Sequence, residues 1–254
     1  MKKGSLLVVL LVAVLGVFTF AGVDASAVEA MNGNEFVNVE TDSDFVCFEP
    51  VQAAEETGLI FIAQDGVEKE AYAVAGVHFA EDGYTVYVLN AGASCDEVEE
   101  IAAANPQIAT WAIGGHGQGG NTAAEIVANN SSMVEDGVIT GLLLWGADAS
   151  TVDLTDFTDD NGCELCVMTI YSSDDGITTV SEIRDLRDLL PDETSSYVYI
   201  SGGNNSNFAN YGLLDGDHNV AMDVEDQQEI AFYYSEKLLN ELNGQGTISI
   251  STPL

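Results

Sequence analysis

Short runs of β-branched and aromatic residues alternate along the chain with segments whose apolar positions recur every three or four residues. The runs are "FVCFE" (45–49), "GLIFIA" (58–63), "YTVYVLN" (84–90), "TWAIGG" (110–115), "GLLLWGA" (141–147), "CVMTIYS" (166–172) and "SYVYISGG" (196–203). Most are nearly continuous in apolar residues, the pattern of strands covered on both faces. Between them Tyr72, Ala75 and Phe79 fall at i, i+3 and i+7, as do Ile183, Leu186 and Leu190. Ile230, Tyr234, Leu238 and Leu242 form a stripe at every fourth residue, which places them on one helical face. "CDEVEEIAAANP" (95–106) reads as a helix stopped by Pro106, and residues 121–129 as another. Strands alternating with helices predict βαβ units, hence an α/β fold with a mostly parallel central sheet and helices on both faces. No repeat or linker divides the pattern. One domain is expected over 45–242, after a polar lead-in over 28–44 and before a tail over 243–254 that could pair as one extra strand.

The first 27 residues have a different character. Lys2 and Lys3 precede an uncharged stretch from Gly4 to Val23, and Ala25-Ser26-Ala27 is an A-x-A cleavage signal. A signal peptide and a secreted or extracytoplasmic protein are expected. The apolar stretch Leu6 to Val23 is also just long enough to span a bilayer, so an uncleaved N-terminal anchor is the alternative. No later segment is apolar enough to cross a membrane.

Charge narrows the partners. The chain has 42 Asp and Glu against 6 Lys and Arg, a net charge of −36. Beyond residue 27 the only bases are Lys69, Arg184, Arg187 and Lys237. Nucleic acid and anionic lipid surfaces are excluded as partners, because a polyanion needs clustered Lys and Arg. The acidity reads as a solvated surface suited to a salty medium, with dedicated cation binding as the alternative. Neither "TDDN" (158–161) nor "DGD" (215–217) has EF-hand spacing, and no metal or cofactor is expected. Four cysteines follow the leader: Cys47, Cys95, Cys163 and Cys166. An even count in an exported chain favours disulfides, here Cys47–Cys95 and Cys163–Cys166. A redox motif or a tetracysteine zinc site is the alternative, although C-E-L-C runs into a strand pattern rather than a helix.

Candidate chemistry centres on "WAIGGHGQGGNT" (111–122), where an apolar run meets a glycine cluster and then a helical pattern. Gly115-His116-Gly117-Gln118-Gly119 has the spacing of the nucleophile elbow G-x-S-x-G, with Gly117 in place of serine. Around it lie "GLIFIAQD" (58–65), "HFAEDGY" (78–84), "GGHGQGG" (114–120), "YSSDDG" (171–176) and "GGNNSNFANYG" (202–212). In content and order these resemble the motifs of the α/β-hydrolase family, in small single-domain members with a G-G-H-S-x-G-G elbow. The resemblance covers Gly58 to about Leu239 and implies the α/β-hydrolase fold.

It also implies a damaged triad. Asp175, beside Asp174, stands at the family's aspartate; Gly117 stands at the nucleophile, and Asn205 at the base, where the family has histidine. Gln64-Asp65 replace the two glycines of the oxyanion loop, and the backbone amide of Gln118 remains as a donor at a helix N-terminus. A carboxylate in that loop would oppose a developing oxyanion. Gly117 would relieve the backbone strain that an elbow residue carries. Of the three histidines, His116 occupies the second elbow position and is expected to pack or hydrogen-bond. His78 is expected as a satisfied boundary residue. His218 lies on a loop that could reach the old base site. Ser172, Ser173, Ser201 and Ser206 sit at strand ends without an elbow and read as loop caps. Three functions follow: a non-catalytic binding or surface-associated module, with a small or anionic ligand in the former active site; an active hydrolase of the ester or peptide class, rebuilt with His218 and Asp174 or Asp175 around water or a metal; or an acidic, cation-dependent structural protein.

Overall fold

The computed structural model describes residues 22–158, 162 and 164–244. Its frame is an eight-stranded sheet: β1 (Val37–Thr41), β2 (Phe45–Pro50), β3 (Thr57–Ile62), β4 (Thr85–Leu89), β5 (Thr110–His116), β6 (Ile139–Trp145), β7 (Cys166–Ser172) and β8 (Ser195–Ile200). The spatial order is β1-β2-β4-β3-β5-β6-β7-β8. β1–β2 and β2–β4 pair antiparallel, and the pairings from β4–β3 to β7–β8 are parallel. The helices are α1 (Ala25–Ala30), α2 (Ala73–Glu81), α3 (Cys95–Ala104), α4 (Gln118–Asn129), α5 (Ser131–Glu135), α6 (Val180–Leu186) and α7 (Val224–Leu242).

Because side chains alternate across a strand, the sheet separates two cores. Leu59 and Phe61 of β3 point into one, where α1, α2 and α7 deliver Ala27, Phe79, Ala231, Phe232 and Leu238. Ile60 and Ile62 point into the other, against Val98 and Ile101 of α3 and Ala123, Ile126 and Val127 of α4. All of these are buried. At about 25 cal/mol per Å² of apolar surface, each large side chain contributes about 1.5–3 kcal/mol. Helices therefore lie on both faces, as the alternating pattern predicts.

Two expectations need correction, for the lead-in and for a disulfide, and the segment around the A-x-A motif is described with them. The polar lead-in over 28–44 carries β1, an edge strand paired with β2 from Val37↔Pro50 to Thr41↔Val46. Only Val37 of it is fully buried, so its sequence is polar although its backbone is paired. The A-x-A motif forms the first turn of α1: Ala27 is completely buried, Asp24 N–H donates to the Asn210 carbonyl at 2.8 Å, and Asn210 Nδ2 donates to Ser26 Oγ at 3.0 Å. The Cys47–Cys95 disulfide does not form. Cys47 is buried on β2 beside the Tyr87 hydroxyl, while Cys95 opens α3 with its Sγ 3.6 Å from Glu99 Oε1. Cys163, and with it the Cys163–Cys166 pairing, lies outside the described residues, as do the signal segment 1–21 and residues 245–254 of the tail. No helix among the described residues is long and apolar enough to cross a membrane.

Candidate functional site

The elbow is built as its spacing predicts. β5 ends at His116, Gly117 takes φ 51° and ψ −118°, and α4 begins at Gln118, three residues earlier than the apolar pattern indicates. Gly117 N–H donates to the Trp145 carbonyl at the end of β6 (2.8 Å), and its own carbonyl accepts Asn121 N–H (3.1 Å). Glycine adopts this left-handed backbone without a Cβ penalty, so the turn survives without its nucleophile.

The space above Gly117 is occupied from within the chain. Gln64 follows β3 and is nearly buried. Its backbone N–H donates to the Tyr72 hydroxyl at 3.0 Å, and its side-chain Oε1 accepts the Gln118 N–H at 2.6 Å. A Cβ built on Gly117 would collide with that same Oε1. A neutral amide oxygen thus sits on the helix-terminal donor that the resemblance assigns to an oxyanion. Asp65, its expected partner in opposing an oxyanion, turns out to solvent.

The acid and base positions converge. Asn205 is completely buried and donates from Nδ2 to Asp175 Oδ2 at 3.0 Å. Asp175 Oδ1 accepts the N–H groups of Ile177 (2.8 Å) and Thr178 (2.7 Å). Burial nevertheless pushes the Asp175 carboxyl up to about 6, because desolvation outweighs those donors. Gly146, at φ 52°, lies against the pair: a Cβ there would stand 2.9 Å from Asn205 Nδ2 and 3.1 Å from Asp175 Oδ2. Asn205 Oδ1 is buried without a hydrogen-bond partner.

His116 lies beneath these groups, completely buried, its Nδ1 2.8 Å from the Tyr72 hydroxyl. The Tyr72 oxygen thus accepts from the Gln64 N–H and also shares a hydrogen bond with Nδ1, whose direction follows the imidazole tautomer. Burial drives the imidazole down to about 4, so it is neutral near pH 7. Tyr72 thereby links the loop carrying Gln64 to the strand carrying the elbow.

His218 does not reach the base position. Its ring is exposed and its Nδ1 sits 3.1 Å from the Asp174 carbonyl, while Asp175 is engaged by Asn205. Asp174 is exposed and accepts the Ser173 hydroxyl at 2.6 Å. Of the strand-end serines, Ser173 Oγ also accepts Gly202 N–H (2.8 Å), and Ser206 Oγ donates to Asp217 Oδ2 (2.6 Å). Asp217 is the residue that sequence reasoning passed over. Its Oδ2 also takes the Ser206 N–H (2.7 Å), and its Oδ1 takes the Gly176 N–H (2.8 Å). It therefore ties the loop of Asp175 to that of Asn205. "DGD" enters the sequence reading only as a run without EF-hand spacing, and nothing in the sequence joins position 217 to position 176.

The family model described as "Alpha/beta hydrolase family" matches residues 58–229. Among solved structures, a CIB-like hydrolase from Thermoplasma acidophilum is 10% identical with a TM-score of 0.58, covering 80% of this chain and 99% of its own. The esterase Est2 of Thermogutta terrifontis is 11% identical with a TM-score of 0.55, covering 82% of this chain and 93% of its own. Carboxyl esterase 2 of Tuber melanosporum is 10% identical with a TM-score of 0.56, covering 82% and 88% respectively. At such identities the likeness concerns the fold. No curated protein sequence matches the chain.

Proposed function

This chain belongs to the α/β-hydrolase family, and from that premise we propose that it is an exported, non-catalytic member: a binding or surface-associated module rather than a serine hydrolase. The observation that carries this reading is the Gln64 Oε1 seated 2.6 Å from the Gln118 N–H, over an elbow that is glycine. A hydrolase needs that donor free for the oxyanion and a serine beneath it. The base position supports the same reading, since the Asn205 amide cannot accept a proton at neutral pH. Loss of a triad nucleophile or base costs roughly 10⁶-fold in a serine protease, and here both are replaced. The ligand class is small or anionic: when Gln64 swings aside, the N-terminus of α4 offers a free amide and the positive end of a helix dipole.

Incubation of the full chain with a fluorophosphonate probe and a panel of short-chain esters tests the reading. The expected result is neither labelling nor saturable turnover. A labelled serine, or ester turnover that disappears in His218→Gln, would instead establish a hydrolase rebuilt around His218 and Asp174.

A further inference from the structure

Where α2 meets α7, a second group of ionisable side chains comes together. His78 lies on α2, Asp82 caps its C-terminus four residues later, and Glu236 comes from the middle of α7. One ligand atom from each lies within 4.8 Å of the others. His78 Nε2 is 2.5 Å from Glu236 Oε1. The imidazole is aimed by packing: its ring lies 4.8 Å from that of Phe232, tilted by 32°, with Phe79 at 5.5 Å on its edge. A groove of about 430 Å³ opens beside the group, lined by His78, Glu236, Glu229, Ile230, Tyr233 and Tyr234.

We propose that His78, Asp82 and Glu236 form a binding site for a divalent transition-metal cation of the Zn²⁺ class, clamping the end of α2 to α7 with its remaining coordination positions open to the groove. An imidazolium–carboxylate pair would account for His78 and Glu236 alone. It leaves Asp82 unexplained, a second carboxylate brought against the first in a chain already carrying 42 acids. Lys237, the adjoining base, is folded over the Tyr233 ring, 4.5 Å from its centroid. One imidazole with two carboxylates suits Zn²⁺, whereas Ca²⁺ and Mg²⁺ favour all-oxygen sets. Around a tetrahedral ion with bonds of about 2.0 Å, ligand atoms stand about 3.3 Å apart. The His78–Glu236 contact must therefore open by somewhat under about 1 Å, and Asp82, within 4.8 Å of both, close in by at most about 1.5 Å. Such movements are small at an exposed helix end. The site is independent of the elbow.

The test uses the full chain, stripped with a chelator, in about 2 M KCl, where the Debye length is under about 3 Å and diffuse binding to the acidic surface is screened. Zn²⁺ is titrated calorimetrically, Co²⁺ is followed by its visible d–d bands, and Ca²⁺ serves as competitor. One ion per chain is expected, unaffected by excess Ca²⁺. His78→Gln should abolish the d–d bands, and Glu236→Gln and Asp82→Asn should each weaken Zn²⁺ at least about tenfold. Asp82→Asn keeps the His78–Glu236 contact and hence the helix packing, so its result stands even if the other variants fold poorly. No saturable binding, or binding undiminished in Asp82→Asn, would overturn the proposal.

Discussion

Replacing Gly117 by serine should destabilise the protein without creating a hydrolase, and Gln64 should determine by how much. The new Cβ would collide with Gln64 Oε1, so the Gln64 side chain must leave and the 2.6 Å bond from Gln118 N–H is lost. Leaving that nearly buried pair unmade costs about 1–3 kcal/mol. Holding a non-glycine residue at φ 51° adds about 1–3 kcal/mol. A total of about 2–6 kcal/mol corresponds to a fall in Tm of roughly 4–24 °C for a domain of this size. In a Gln64→Gly background the collision is absent, and Gly117→Ser should cost only the backbone term. The double-mutant cycle should therefore give a coupling of about 1–3 kcal/mol. Thermal melts of the four proteins in the same high-salt buffer measure it. Equal Tm losses from Gly117→Ser in both backgrounds would refute the seating of Gln64. The cycle also orders the repair of activity: Gly117→Ser with Asn205→His should be labelled only slowly by a fluorophosphonate while the displaced Gln64 stays beside the elbow, and Gln64→Gly should speed labelling by roughly 10²-fold or more.

Further expectations concern pH, thiols and salt. His116 has a folded pKa of about 4 against 6.5 unfolded, so the unfolded chain binds the extra proton, and stability is lost as pH falls from about 6.5 to about 4, by about 3 kcal/mol in all. Asp175, raised to about 6, acts with the opposite sign over the lower part of that window. Denaturant titrations of wild type against His116→Gln cancel that common contribution, and parallel pH profiles would contradict a buried neutral imidazole. With Cys47 buried and its thiol pushed up to about 12, Ellman's reagent should reach Cys95 in the native protein and Cys47 only after unfolding; loss of both thiols without reductant would restore the disulfide. The net charge of −36 should make Tm climb together in NaCl and KCl, since about 0.1 M salt already screens beyond about 10 Å; a flat response would remove self-repulsion as the reason.

Periodicity is a local property, and what it dictates was legible in this sequence. The runs that became β2 through β8 and the stripes that became α2, α3, α4, α6 and α7 stand where apolar spacing puts them, because a buried strand or helix face must be apolar wherever it lies. The elbow could be read for the same reason: Gly115 to Gly119 are contiguous. The elements before β2 were not legible. In β1 the backbone pairing is satisfied while little side chain is buried, so the strand leaves no apolar signature, and α1 is fixed by hydrogen bonds to Asn210 nearly two hundred residues away. The resemblance aligned Asn205 with Asp175, but only the folded chain brings their side chains to 3.0 Å. It was also tertiary structure that turned Gln64 inward and Asp65 outward, bridged Gly176 to Ser206 through Asp217, separated Cys47 from Cys95, and set Glu236 beside His78 and Asp82. Each of these depends on the meeting of side chains from distant elements, and a meeting of that kind is determined by how the sheet orders its strands and how the helices cross it, which no single stretch of sequence encodes.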